Sequence, residues 1–220
     1  MDGNGRWAVT RGLSRSEGHR AGTENVRRTI EAFAQAGVNY LTVFAFSTEN
    51  WERPVGEVDS LISIFRDVIG PESENLHRQG VRIRHLGNLE RLPKDLRGAI
   101  ESSMELTSEN SGLTLSVAFN YGSRTEILDA VRQMMADGVD PVDVTESSFA
   151  SYLYTSDLPD PDLIIRTAGE MRLSNFLLWQ AAYAEFYSTA ALWPDFDEVE
   201  VQKALDAYSR RSRKFGRLED

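Results

Sequence analysis

The sequence contains no cysteine. Structural disulfides, thiolate metal centres and cysteine nucleophiles are therefore excluded, and a reducing compartment is permitted. No apolar run approaches the length of a membrane span, and no signal-peptide pattern precedes the first motif, so the protein is expected to be soluble and cytoplasmic. Histidine is scarce, with His19, His77 and His85 only. No serine stands in a nucleophile elbow, which leaves Ser-His-Asp hydrolysis without support. The P-loop pattern is missing as well. Positive charge is in deficit: 24 Lys and Arg face 34 Asp and Glu, and the formal net charge of −10 argues against a general nucleic-acid binder. No repeat, low-complexity tract or linker interrupts the 220 residues, and 41% hydrophobic content is enough for one domain with its own core.

The cations that are present cluster. Residues 6–28 hold Arg6, Arg11, Arg15, Arg20, Arg27 and Arg28 against Glu17 and Glu24. Local basic clusters in an acidic protein suit an anionic small molecule better than a nucleic-acid face. The opening stretch, Met1-Asp2-Gly3-Asn4-Gly5-Arg6-Trp7, sets an acid beside two glycines, an amide, a guanidinium and an indole. Glycine lets a ligand approach backbone amides closely, and successive amides form a concave nest for anions. Asp2 would repel a phosphate there unless a divalent cation lay between them. The stretch therefore suggests a metal–phosphate site, with a frayed N-terminus as the plain alternative.

Periodicity predicts a helix over 22–36, a strand over 39–47, and a polar loop over 47–54. It continues with a helix over 58–79 that Pro71 kinks or splits, a strand over 81–86, a helix over 93–109 and a strand over 113–119. A helix to about Ala136, a short helix over 146–153, a strand over 162–166, a helix over 175–182, a strand over 189–193 and a helix over 197–211 complete the chain. Strands alternating with helices imply an α/β fold with a mainly parallel central sheet flanked by helices. Ligands of such sheets sit beyond the carboxyl ends of the strands. Ser47 and Asn50, Gly87 and Asn88, Asn120 and Tyr121, and residues 166–174 fall at those ends.

Arg15, Arg53, Arg166 and Arg172 are expected in loops at the same edge. Guanidinium forks bind diphosphate oxygens bidentately, and four of them with an Asp-held metal suggest two diphosphates. The helix over 58–69 and the strand over 41–46 offer an apolar lining, which suits a lipid diphosphate; plain core accounts for most of those side chains. Gly3-x-Gly5-x-x-Ala8 formally fits a dinucleotide fingerprint, but weakly, since Glu24 lies within a helix rather than ending a second strand. His19 is the one histidine placed for an active site.

The chain resembles a cis-prenyltransferase, the family of undecaprenyl diphosphate synthase. The motifs that carry the resemblance are MDGNGRWA (1–8), RGLSRSEGHRAG (11–22), FAFSTENWERP (44–54), NYGSR (120–124), IRTAGEMRLSNFLLWQ (165–180), AEFY (184–187) and LWPDF (192–196). The resemblance implies a single domain over 1–220 with a hydrophobic tunnel, a homodimer, magnesium as cofactor, isopentenyl and allylic diphosphates as substrates, and a product able to associate with a membrane. It implies that Asp2 binds magnesium and that Gly3, Asn4, Gly5, Arg6, Trp7 and Arg15 surround the allylic diphosphate. It gives His19 a diphosphate-contacting or proton-handling role, and Ser47 and Asn50 a role in proton removal or positioning. It counts Thr48 and Glu49 among the substrate-binding residues, gives Trp51 a role in moving or packing the substrate, and places Arg53 on a loop that closes over the substrates. Arg166, Arg172 and Ser174 match the isopentenyl diphosphate site, Glu185 a metal-linked acid at the dimer interface, and Arg213-Lys214-Phe215-Gly216 a basic tail. Ser123 and Ala168 stand where glycine, or serine and glycine, are common. The family also carries a strand ending in the MDGNGRW motif, which this chain lacks as written. Asp2 then adjoins a cationic α-amine that competes with magnesium. A dinucleotide-binding oxidoreductase and a silent subunit of a heteromeric prenyltransferase are the other readings.

Overall fold

The structure, a computed structural model, describes residues 1–211. Arg213-Lys214-Phe215-Gly216, expected to form a basic tail, lies outside the described residues. The elements run α1 (Asn4–Val9), α2 (Arg15–Gln35), β1 (Tyr40–Ser47), a 3₁₀ turn (Thr48–Glu52), α3 (Val55–Arg78), β2 (Arg82–Leu86), α4 (Lys94–Leu106) and β3 (Thr114–Tyr121). Next come α5 (Ser123–Ala136), α6 (Glu146–Ala150), β4 (Leu163–Arg166), β5 (Glu185–Ser188) and α7 (Glu198–Ser209).

All the strand pairs are parallel, as the βα alternation predicts. The strands form two hydrogen-bonded groups, β1-β3-β2 and β4-β5. Strand β3 lies between two neighbours and is the most deeply buried, with Leu115, Ser116, Ala118, Phe119, Asn120 and Tyr121 all inside. One core joins Ile30 and Phe33 of α2 to Val43, Leu115, Trp193, Phe196 and Val201. A second joins Leu61 and Ile62 of α3 to Leu96 and Ile100 of α4 under Phe46 and Phe119. A register shift in β1 between Phe44 and Phe46 marks a bulge. Bulges re-aim side chains, and this one stands two residues before Ser47.

Three local readings change, and the split at Pro71 drops out. Helix α2 begins at Arg15, so Arg15 and His19 are helical and not in a loop. Its start is a capping box: Ser14 Oγ accepts from the Glu17 amide at 3.3 Å, and Glu17 Oε2 accepts from the Ser14 amide at 2.8 Å. Gly18 and Gly22 hide the helix from propensity, yet they are where α1 packs: a Cβ on Gly18 would meet Ala8 Cβ at 2.9 Å, and one on Gly22 would meet Asn4 Cγ at 2.8 Å. Pro71 lies inside α3, which remains a single element. The helix expected over 175–182 does not form. Ser174, Asn175 and Leu177 take left-handed backbone angles that end any helix, and only a 3₁₀ turn at Gln180–Tyr183 follows. The last strand is Glu185–Ser188 rather than 189–193, because the Thr189 and Ala191 carbonyls instead accept from Gly169 and Ala168.

Histidine 85 sits in β2 against the Phe119 carbonyl, 2.9 Å from its Nε2. Burial pushes its pKa down, with that hydrogen bond opposing. The folded state therefore prefers neutral histidine, and the unfolded chain binds the extra proton as pH falls below about 6.5. Stability should drop from pH 7.5 to 5.5. His85→Gln, which can still donate to Phe119, should flatten that slope in urea titrations.

Candidate active site

The carboxyl ends of β1 and β4 bring the motifs together at one rim. Asp2 is pinned there by its backbone: its amide donates to Thr167 Oγ1 at 2.8 Å, and its carbonyl accepts from Thr167 Oγ1 at 2.8 Å and from the Trp193 amide at 2.9 Å. The LWPDF turn is locked in turn onto α2. Trp193 Nε1 donates to the Gly22 carbonyl at 2.7 Å, and Asn25 Nδ2 donates to the Trp193 and Phe196 carbonyls at 2.6 and 2.9 Å. Gly3 takes φ 110°, and a Cβ there would press on Leu192 at 2.9 Å. A side chain at that position would therefore push Asp2 off its seat.

Arg166, the last residue of β4, is the hub. Its Nε donates to Asp2 Oδ2 at 2.8 Å, and its Nη1 donates to Ser174 Oγ at 2.9 Å and to the Arg172 carbonyl. Arg172 pairs with Glu170 at 2.5 Å, and Arg6 pairs with the same carboxylate at 3.0 Å. A second carboxylate gathers the other cations. Glu57, in the first turn of α3, is 2.9 Å from Arg53, 3.5 Å from Arg15 and 4.0 Å from His19 Nε2. Burial, then Arg53, holds the His19 pKa down against the pull of Glu57, so the imidazole favours its neutral form. Asn50 Oδ1 accepts from the Ser47 amide at 2.9 Å and folds the corner after β1.

A cavity of about 640 Å³ is lined by Asp2, Asn4, His19, Ser47, Asn50, Arg53, Arg166, Arg172 and Ser174. The outer edges of β1 and β4, which pair with no strand among the described residues, line it too. Asn4 Oδ1 is buried with no hydrogen-bond partner there. Below, an apolar cavity of about 190 Å³ lies among α2, α3 and the sheet, lined by Val26, Ile30, Leu61, Phe65, Ile69 and Val117.

Other expected residues stand aside. Trp7 points away, donating to Asp195 Oδ1 at 2.7 Å under the Arg11 guanidinium. Trp51 donates to Asn120 Oδ1 at 2.8 Å and meets Phe46 edge-on. Glu185 opens β5 opposite Leu163, three residues before the Arg166 level, and pairs with Arg211. At about 3.3 Å per residue it lies some 10 Å below the rim, so a single chain does not assemble Asp2 and Glu185 into one centre. Glu57, Glu170 and Thr167 were not singled out from the sequence. The Arg53–Glu57 spacing of four in a helical start was the one legible hint.

Among the described residues no group of three or more acids or histidines could hold a metal. A divalent cation at the rim would bind through one or two carboxylates and complete its shell with phosphate oxygens and water. Asp2 would hold it.

Residues 1–216 match the family model described as putative undecaprenyl diphosphate synthase. An isoprenyl transferase of Fusobacterium nucleatum is 51% identical over 216 residues, spanning 98% of this chain and 93% of the relative. One from Thermotoga maritima is 50% identical over 220 residues, spanning 99% and 94%. The crystal structure of lavandulyl diphosphate synthase from Lavandula x intermedia, in complex with dimethylallyl diphosphate, superposes with a TM-score of 0.95 at 38% identity, covering 98% of this chain and 95% of that one. A probable undecaprenyl diphosphate synthase from Campylobacter jejuni superposes at 0.81 and 32% identity, covering 90% and 92%. Neither the dinucleotide reading nor the silent-subunit reading gains support from these matches. Likeness of this order, sustained along the chain in both sequence and fold, places the protein in the undecaprenyl diphosphate synthase family, as a prenyl-transferring enzyme.

Proposed function

We propose that the protein condenses isopentenyl diphosphate with an allylic diphosphate such as farnesyl or geranyl diphosphate, extending the prenyl chain with cis double bonds. The observation that carries this reading is the one cavity rim shared by Asp2, His19, Arg53, Arg166, Arg172 and Ser174 above an apolar pocket. Two anionic groups and one apolar tail are what such a site accommodates. The allylic carbon–oxygen bond breaks and its electron pair leaves with diphosphate. A carbon–carbon bond forms to the isopentenyl group, which then loses a proton. Arg15, Arg53 and the amides beside Gly3 and Gly5 hold the allylic diphosphate, and Arg166, Arg172 and Ser174 hold the isopentenyl one. Ser47 and Asn50 have no strongly basic atom and serve to position the carbon chain, whereas neutral His19 can accept a proton. Magnesium on Asp2 and the diphosphate would supply Lewis-acid stabilisation of the leaving group. The apolar cavity takes the prenyl tail and keeps water from the allylic cation.

Purified protein incubated with magnesium, farnesyl diphosphate and radiolabelled isopentenyl diphosphate should yield labelled polyprenyl diphosphates. No incorporation, with a thermal shift on adding NAD(P), would overturn the reading. Arg172→Ala should raise KM for isopentenyl diphosphate about tenfold, the worth of one charge-assisted contact, with a smaller change in kcat.

The same reading makes the protein a cytoplasmic homodimer. No helix among the described residues is long and apolar enough to cross a membrane. Phe176 and Leu177 of the apolar 176–187 stretch pack internally against Phe44 and Tyr121. Leu178, Trp179 and Tyr183 stay exposed and are the part offered to a second copy. Sedimentation at micromolar concentration should give the dimer mass.

A further inference from the structure

The two diphosphate subsites draw on different segments: the allylic one takes Arg53 from the corner after β1 beside α1 and α2, and the isopentenyl one takes the irregular stretch after β4. Arg166 reaches Asp2 on one side and Ser174 on the other, and a second side chain ties the turn after β1 to the stretch after β4. Asn175 Nδ2 donates to Glu49 Oε1 at 2.8 Å, in the 3₁₀ turn between Ser47 and Arg53. Its Oδ1 accepts from the Arg124 amide at 2.9 Å, and its carbonyl accepts from the Ser123 amide at 2.9 Å. Asn175 therefore ties the turn that carries Asn50 and Arg53 to the stretch that carries Arg172 and Ser174, across the N-terminus of α5.

Each side of the link is anchored. Ser123 Oγ accepts from the Leu178 amide at 3.0 Å. Glu126, fully buried, accepts from Tyr121 Oη at 2.5 Å, from the Tyr154 amide at 3.0 Å and from Gln180 Nε2 at 3.1 Å. The stretch is thus tied to α5, and Asn175 makes its only hydrogen bond to the Thr48–Glu52 turn among those described. Asn175 also holds φ 63°, a left-handed angle that asparagine tolerates better than most residues. A Cβ on Gly122 would come within 2.7 Å of Asn175 Nδ2, so glycine there leaves room for the link. Asn175 and Glu49 do not line the cavity, whereas their neighbours Ser174 and Asn50 do.

We propose that Asn175 is a positioning residue that couples the two subsites: by tying the Thr48–Glu52 turn to the stretch that carries Arg172 and Ser174, it lets occupancy of the allylic subsite set those two residues for isopentenyl diphosphate. The proposal rests on the substrate reading above. Its physical content is a coupling free energy, so one substrate must tighten the other.

The test is calorimetric titration of isopentenyl diphosphate into the full chain, with and without a non-ionising thio analogue of farnesyl diphosphate. In the wild type the analogue should tighten isopentenyl diphosphate binding. Asn175→Asp keeps the acceptor for the Arg124 amide but sets carboxylate against carboxylate at Glu49. It should abolish the tightening, about a tenfold change, while leaving affinity for the analogue alone within about twofold. The double variant Glu49→Gln with Asn175→Asp reverses the polarity of the same hydrogen bond, the introduced amide donating to the introduced carboxylate, and keeps the pair's charge. It should restore most of the coupling. Asn175→Gly preserves the left-handed backbone and removes both side-chain bonds, so it reads the same loss if the aspartate variant fails to fold. Equal weakening of both ligands in folded single variants, or a double variant no better than Asn175→Asp, overturns the proposal. A wild type that binds neither diphosphate overturns the substrate reading instead.

Discussion

Asp2→Ala should lower kcat about a thousandfold while leaving allylic diphosphate bound. The carboxylate is partly open to the cavity and is presented by backbone contacts to Thr167 and Trp193 that the substitution leaves in place. Its target is the charge that builds as the carbon–oxygen bond breaks, which is larger in the transition state than in the ground state. Removing such an interaction lowers kcat more than it weakens binding. Lewis-acid stabilisation is worth several kcal/mol, and about 1.4 kcal/mol corresponds to each factor of ten. The substrate's own charge decides the binding side of the argument: without Asp2 one anion is gone, while Arg15, Arg53 and the α1 amides remain. Arg166 loses a partner and becomes more available to a phosphate. Single-turnover rates and analogue binding at several magnesium concentrations separate the two effects. Wild-type kcat at saturating magnesium, or outright loss of analogue binding, would refute the role.

Arg166→Ala should cost about a hundredfold to a thousandfold in kcat/KM and damage both subsites at once. Charge-assisted hydrogen bonds are worth about 1.5–3 kcal/mol each, and the Arg166 guanidinium makes three contacts in different directions. Loss of the Nε contact lets the Asp2 carboxylate rotate. Loss of the Nη1 contacts frees Ser174 and the Arg172 carbonyl, so the isopentenyl side loses its geometry as well as a cation. Misplacement of about 1 Å already costs about a hundredfold in an oriented reaction. Arg166→Lys should not rescue, because one ammonium cannot span Nε and Nη1 partners in fork geometry. The stability cost should be smaller, about 1 kcal/mol, since Asp2 is 39% exposed and solvent takes over part of the lost pairing. Steady-state kinetics on both substrates, beside a urea melt, would show this split. Unchanged kcat/KM for isopentenyl diphosphate in Arg166→Ala would remove Arg166 from the site.

The strands were legible because β propensity and apolar runs are local, and the parallel pairing of β1, β2 and β3 follows from the helices between them. The placement of Ser47 and Arg166 at strand ends was legible for the same reason. Residues 175–182 were not. Their apolar pattern has no turn residue except Asn175, and the left-handed angles at Ser174, Asn175 and Leu177 are imposed by bonds to Ser123 and Arg124, some fifty positions earlier. The start of α2 was missed because Gly18 and Gly22 lower local propensity, although they are the positions that let α1 approach.

By itself the sequence determined the class of fold, the family, and the strand ends that carry Ser47 and Arg166, since motif and periodicity are properties of short segments. Only the tertiary structure decided how those groups meet. Arg166 faces Asp2 across 164 positions, Glu57 draws Arg15 and His19 from another helix, and Asn175 reaches Glu49 across 126. Such pairings depend on how packed layers bring distant backbone together, and that is set by the whole core rather than by any local pattern.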